Sequence, residues 1–548
     1  ATLVGEELDA AWDQIEVEAA PADAKLYNNL LWGPYQGTGG STAMANSFTQ
    51  MRKAGAAARE MLLSAAAKQW KVAEDEISIA SGVVQHAGSK RSASFGELAE
   101  LAAREPVPEE PLLKDPGDFR LIGRPLPRKD SPEKIDGRAL YTQDFQLPGM
   151  LVALVSHPPR FGATVKSYDA SAAKAVKDVV DVVPIPRGVA VLARDFWSAR
   201  QGRETLQVEW DETDAFALSS DDIMAEYRRL AEKPGVAVRT EGDPGQALAK
   251  TDRTLAAAYE VPFLAHAAME PMDCVVRLSK DGCEIWNGAQ LQTGDQAAVA
   301  ALLGIEPEQV KIHTLYAGGS FGRRANPQSD YVVEAAAIAK AYKTGVPIKL
   351  IWTREDDMRA GYYRPAYYHR IQAGLDDKGK PAAWQHRIVG QSIITGTAFE
   401  PALVKDGVDQ TSVEGAANLP YRIPNMGLDL HSPELGVPVQ WWRSVGSSHT
   451  AFVVETFMDE LASAAGEDPV VFRRRLLQGH PRHQGVLELA AEKAGWGRPL
   501  GEGRGRGIAV HESFNSYVAE VAEVTVRPDG GFSVDRVVIA VDCGITVN

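Results

Sequence analysis

The segment Gly318-Gly319-Ser320-Phe321-Gly322-Arg323-Arg324 is caught between a β-like run, Val310 to Leu315, and an Ala-rich helical run from Asp330 to Tyr342. Glycines let the backbone turn with positive φ and approach a neighbour closely, so strand, loop and helix are forced into a tight local unit. Pro347 to Trp352 then supplies a further strand. Upstream, the β runs Met150 to Val155 and Val189 to Ala193 flank a short helical stretch from Ala170 to Lys177. This mixture implies an α+β fold class.

A second glycine loop, Thr38-Gly39-Gly40-Ser41-Thr42, opens a long Ala-rich helix in which Phe48, Met51, Gly55, Ala58, Leu62 and Ala65 step by three and four. About six turns are expected. Pro, Gly and charged residues from 106 to 136 mark a boundary or an extended connector, and residues 211 to 250 read as a surface connection with one helix near Asp221 to Lys233. Later helices are expected from His449 to Ala465 and after Asp468-Pro469, and Pro528-Asp529-Gly530-Gly531 reads as a hairpin turn in a strand-rich tail. Ala1 to Ala10 resembles the second half of a helix, and the chain stops just after a strand-like run, so a fragment of a longer polypeptide is expected.

The 548 residues carry 58 basic and 73 acidic side chains, net charge -15, which argues against a nucleic-acid partner. No run approaches the apolar length of a membrane helix. The three cysteines, Cys274, Cys283 and Cys543, match no zinc or iron-sulfur spacing, so Cys274 and Cys283 are read as buried inert thiols and no metal ligands are assigned.

Two readings of the 318–324 loop stand side by side. Exposed N–H groups and paired guanidinium groups make an anion nest, with Phe321 covering a ligand; alternatively the loop is a structural turn with solvated arginines. The 38–42 loop is either a phosphate site at a helix N-terminus or an ordinary Ser/Thr cap. Gln440-Trp441-Trp442-Arg443-Ser444-Val445-Gly446 is either a capped helix start or a ligand-orienting segment. His266 and Glu270 form a buried polar pair rather than a metal pair, while Glu455, Asp459 and Glu460 and the run Arg473-Arg474-Arg475 read as solvated.

Taken in order, these segments resemble the molybdenum hydroxylase superfamily, of the isoquinoline 1-oxidoreductase β-subunit type. The resemblance rests on Thr38 to Ser41 with Arg52 to Arg59, Gly137 to Asp144 with Pro148 to Met150, His266 to Pro271, Gly318 to Arg324, Trp352 to Asp357, and Trp442 to Gly446. It implies an α/β hammerhead domain with its lead-in over 116–215. It further implies a first part of a molybdopterin-binding domain over 1–115, a connector over 216–250, a molybdopterin-binding domain over 251–485, and the start of a further part over 486–548.

The implied cofactor is molybdopterin with molybdenum, as the cytosine dinucleotide, and the implied reaction is hydroxylation of an aldehyde or N-heterocycle with oxygen from water. Gln290, Phe321 and Arg443 are carried over as catalytic positions. Gly39, Gly40, Ser41, Thr42, Gly318, Gly319, Phe321, Gly322, Arg323, Arg324, Arg443 and Ser444 are carried over as cofactor-binding positions. Ala325 stands where purine-oxidising relatives carry an acid, which makes xanthine a poor substrate. The family's base, a glutamate in a Gly-x-Gly-Glu segment, does not occur before the chain ends, so the fragment is expected to lack stable cofactor and turnover. A small two-cluster [2Fe-2S] subunit is the implied partner, with a cytochrome as onward acceptor. Cytoplasm and periplasm stay open, as do a cofactor-free scaffold and a polyphosphate-binding transferase.

Overall fold

The structure, a computed structural model, describes residues 1–359 and 361–548. Its centre is a seven-stranded mixed sheet ordered Val310–Thr314, Gly282–Asn287, Asp273–Ser279, Ile348–Ile351, Leu151–Ser156, Gly188–Ala193 and Val179–Ile185. The strand Leu151–Ser156 is apolar and buried over five successive positions, as a strand covered on both faces must be. The helix Asp330–Tyr342 lies on this sheet, and its small side chains Ala335, Ala336 and Ala339 allow close approach beneath Tyr331 and Ile338. The glycine loop therefore leaves the edge of a sheet and returns as its covering helix.

A five-stranded sheet carries the other half of the core, ordered Arg253–Val261, Tyr367–Leu375, Pro381–Gly390, Met426–His431 and Val236–Glu241. That last strand falls inside 216–250. The stretch expected to be a surface connection thus contributes the helix Ser220–Leu230 and an edge strand paired antiparallel to Met426–His431. Its alternation is weak because no residue of this edge strand is fully buried. The C-terminal sheet Arg504–Ser513, Ser516–Val526 and Phe532–Asp542 is antiparallel, and its second hairpin turns at Pro528 to Gly531 as expected.

The long helix runs Thr42–Trp70, 29 residues, longer than its apolar stripe indicated. Met51, expected on its core face, is 37% exposed, whereas Arg52, Gly55 and Ala56 are buried. Helix Thr2–Leu8 crosses at Gly55, where a Cβ would meet the Val4 carbonyl oxygen at 2.6 Å. The crossing partner sets the phase of the buried face. Arg52 is accommodated by Glu7, Nε to Oε1 at 2.7 Å.

The expected solvated face at Glu455 and Arg473 is a buried ion pair instead. Arg473 is fully buried, donates Nε to Glu455 at 2.9 Å and Nη1 to Asp459 at 2.6 Å, and Glu455 also accepts from Tyr421 Oη at 2.7 Å and the Val510 N–H at 2.9 Å. Cys274 and Cys283 are buried free thiols, and burial pushes the Cys283 thiol up to about 12. No helix among the described residues is long and apolar enough to cross a membrane.

Candidate functional site

Three distant loops meet through Gln290, which follows the strand Gly282–Asn287. The Thr38 N–H donates to the Gln290 carbonyl at 2.9 Å, and Gln290 Nε2 donates back to the Thr38 carbonyl at 2.7 Å. Ser320 Oγ donates to Gln290 Oε1, and the Arg324 N–H donates to Ser320 Oγ at 3.1 Å. On the far side the Arg443 N–H donates to the Phe321 carbonyl at 2.9 Å, and the Arg443 guanidinium lies 4.1 Å from the Phe321 ring centre. Thr38, Gln290, Ser320, Phe321 and Arg443 are thus joined in one run of contacts. Gln290 acts there as a strut, its carboxamide already engaged by both glycine loops.

The backbone at this place is strained. Ser41 (φ 56°), Phe321 (φ 58°), Ser444 (φ 69°) and Val445 (φ 47°) all sit in the left-handed region, which a β-branched or bulky residue adopts only under constraint. Each costs on the order of 1–3 kcal/mol and persists where a site requires it. Gly319 and Gly322 turn with φ of 97° and 105°, so that with Phe321 three of the four residues 319–322 have positive φ. Ser41 makes no side-chain capping bond, so the N-terminus of Thr42–Trp70 is not closed as an ordinary cap would close it. Thr42 Oγ1 instead donates to the Gly39 carbonyl at 2.7 Å.

Arg323 and Arg324 are placed otherwise than expected. Arg323 is 2% exposed and grips Asp330 with both terminal nitrogens, at 3.0 and 2.6 Å. Although burial pushes the Asp330 carboxyl up, the Arg323 guanidinium holds it below the usual carboxylate range. Arg324 is 1% exposed and donates to Glu270 at 2.8 Å, Asp273 at 3.3 Å and the Gly319 carbonyl at 3.0 Å. Neither reaches the loop's open face. A guanidinium next to a glycine turn is drawn inward when carboxylates lie beneath it, because an unpaired buried charge is costly.

Glu270 ties the loop down. Its Oε2 accepts the Gly318 N–H at 2.8 Å while its own N–H donates to the Gly318 carbonyl at 2.9 Å. A Cβ at Gly318 would meet the Glu270 Cβ at 2.4 Å, so glycine is required there. His266 makes no pair with Glu270: its Nε2 donates to the Trp441 carbonyl at 2.9 Å, and burial lowers its pKa to about 4, leaving the ring neutral with a bare Nδ1. Buried Trp442 Nε1 and Ser448 Oγ likewise have no partner among the described residues. Buried polar atoms of this kind are satisfied by water, an ion or a ligand.

No local sequence signal links Trp32, Phe399 and Trp441, yet they form a row along these loops, with successive ring centres 5.8 Å apart. Residues so far apart in the chain are joined only by packing. A separate cleft of about 700 Å³, lined by Lys349, Trp352 and Arg354 among others, includes neither Gln290 nor Arg443 nor the glycine loops.

Residues 230–477 match the family described as the molybdopterin cofactor-binding domain. The β subunit of isoquinoline 1-oxidoreductase from Brevundimonas diminuta is 33% identical over 99% of this chain and 75% of its own length. The chain belongs to the molybdenum hydroxylase family. A nicotinate dehydrogenase subunit from Pseudomonas putida is 30% identical over 100% of the chain and 48% of its own length. The crystal structure of quinoline 2-oxidoreductase from Pseudomonas putida 86 superposes with a TM-score of 0.58 at 17% identity, covering 76% of this chain and 62% of that one. The fold is thus that of molybdenum hydroxylase large subunits, and the chain spans part of the length of each. A pterin fits the site in kind: glycine-turned amides, an open helix N-terminus and orphaned buried donors.

Proposed function

We propose that this chain is the molybdopterin-binding part of an oxidoreductase that hydroxylates an aldehyde or a nitrogen heterocycle, with the new oxygen drawn from water. The observation that carries the proposal is the hydrogen-bonded convergence of Thr38, Gln290, Ser320, Phe321 and Arg443 from distant loops. Molybdopterin, when bound, supplies the redox centre that takes an electron pair from the substrate carbon. Gly39, Gly40, Ser41 and Thr42 hold its phosphates at the helix N-terminus, where amide donors and the helix dipole favour negative charge; two phosphates, as in a cytosine dinucleotide, suit the two glycine loops. Gly319 and Gly322 present backbone amides, Gly318 shapes the turn with its own amide held by Glu270, Arg443 and Ser444 orient the pterin edge, and Phe321 screens the site from water. Gln290 keeps the loops in register. Arg323 and Arg324 serve by fixing the loop from beneath.

Electrons need an exit. Two cysteines are buried, and none has cluster spacing, which favours a separate [2Fe-2S] subunit with a cytochrome beyond it. The naming of the isoquinoline and nicotinate relatives as subunits supports such an assembly. The test is expression of the full-length gene product with its small neighbour under conditions that mature the cofactor. Stoichiometric molybdenum and cytosine nucleotide, with dye-linked oxidation of an aldehyde or heterocycle, are the expected result. Their repeated absence would leave a cofactor-free scaffold as the better account.

A further inference from the structure

Lys349 is a buried cation that neither glycine loop uses. It stands in the strand Ile348–Ile351, buried at all four positions, with Val275 and Val152 opposite it on the two neighbouring strands. A row of this kind is filled by apolar side chains when a sheet face is only packed, yet here its middle member is a lysine, 1% exposed. Its Nζ donates to the Gln143 carbonyl at 2.6 Å, and among the described residues no carboxylate lies within ion-pair distance of it. The buried arginines Arg323, Arg324 and Arg473 each hold at least one carboxylate. An ammonium carries three N–H donors, and a buried cation without a counterion is costly. Burial accordingly pushes the Lys349 pKa below the usual lysine value, against the weaker pull of Asp273, Asp144 and Glu270.

Lys349 lines the cleft of about 700 Å³, a volume within the range of small-molecule sites. Val152 and Ile351, on the same sheet face, and Met150 give the cleft an apolar wall, and exposed Phe196 adds a ring at the rim. Arg194, Arg200 and Arg354 also line it, so with Lys349 four cations face the carboxylates of Asp195 and Glu355. Asp195 is occupied as the cap of helix Phe196–Thr205, accepting the Ser198 N–H and Oγ at 2.8 Å each. Arg194 comes no closer to a carboxylate than 4.0 Å, at Asp178. We infer that this cleft binds a small organic carboxylate with an apolar, ring-sized body, its charge paired with Lys349 and its body against Val152, Ile351 and Phe196. A monoanion matches one buried ammonium, and the apolar wall rewards the rest of the molecule. A dianion such as phosphate would bring a second charge to be desolvated and nothing to set against the wall.

The experiment titrates the full-length protein, co-expressed with its small neighbour, with sodium benzoate, acetate, benzyl alcohol and inorganic phosphate. Binding is followed by calorimetry and by the NMR signal of the Met150 methyl group in methyl-labelled protein, assigned through Met150→Leu. Benzoate is expected to saturate one site and shift the Met150 signal. Acetate, which lacks the ring, benzyl alcohol, which lacks the charge, and phosphate should each bind at least about tenfold more weakly. Lys349→Met places an apolar side chain between the two valines and should weaken benzoate at least about tenfold, and Arg194→Ala about threefold. Benzoate affinity that survives Lys349→Met overturns the inference, as does saturation without a Met150 shift or phosphate binding as tightly as benzoate. If Lys349→Met fails to fold, Arg194→Ala decides, and an unchanged benzoate affinity in that variant overturns the inference. Absence of benzoate binding overturns it too, and a loss of subunit assembly in Lys349→Met would then assign the cleft to an acidic side chain of the partner. None of these readouts requires molybdenum, so the inference stands or falls apart from the oxidoreductase reading.

Discussion

Arg324 and Arg443 stand on either side of the same glycine loop and behave as opposites. Arg324 lies beneath it, 1% exposed, committed to Glu270, Asp273 and the Gly319 carbonyl. Arg443 is exposed, with its guanidinium over the Phe321 ring at 4.1 Å and its main-chain N–H anchoring the loop. The difference teaches that a guanidinium beside a glycine turn is drawn inward when carboxylates are buried under it and stays at the surface when they are not. Charge in a low-dielectric layer is used to hold the fold, and charge at its surface is not committed to a buried carboxylate.

The largest expected effect comes from breaking the lower layer. Arg324→Ala leaves Glu270 and Asp273 without their buried counterion and should lower stability by about 3–5 kcal/mol, measured as the shift of the urea midpoint. A shift as small as that of a surface substitution would erase the contrast. Elsewhere in the interior the solution to buried polarity is neutrality instead of pairing. Three imidazoles stand in series, His369 Nδ1 to His386 Nε2 at 2.9 Å and His369 Nε2 to His449 Nδ1 at 3.0 Å. Burial pushes His386 down to about 3 and the other two well below the usual histidine range. The unfolded chain binds these protons from about pH 6.5 downward and the folded chain does not, so their stabilisation is complete above that pH. It is lost on acidification at up to about 1.4 kcal/mol per pH unit for each histidine. Urea midpoints between pH 7.5 and pH 5 should show the loss, and His369→Gln should reduce its slope.

Gly318→Ala presses a Cβ onto Glu270 and should cost about 1–3 kcal/mol, read from thermal unfolding. A wild-type melting temperature in that variant would mean that Glu270 does not tie the loop to the lower layer. At the small end, Arg443→Ala should change stability by no more than about 0.5 kcal/mol, yet reduce the pterin and molybdenum recovered with the full-length protein. If Arg443→Ala destabilises as strongly as Arg324→Ala, the two layers are one.

Much of the local structure was legible. The strand Val310–Thr314, the helix Asp330–Tyr342 and the hairpin at Pro528 to Gly531 follow from periodicity and turn chemistry over a few contiguous residues. The candidate loops were legible for the same reason. What failed did so where pairing is remote: Arg52 is buried where Met51 was expected because Glu7 of helix Thr2–Leu8 receives its guanidinium, and residues 236–241 form a strand because Met426–His431 supplies an edge. Glu455 and Arg473, ordinary charges on their own helices, find each other only in the packed core.

Sequence alone determined where the chain can turn with positive φ, which strongly periodic runs form strands or helices, and which family the ordered segments resemble, since each depends on neighbours in the chain or on the order of short motifs. Only the tertiary structure decided which arginine faces inward and which rings stand beside the loops. Arg324 meets Asp273 across 51 positions, and the energy of a charge is set by what surrounds it in space.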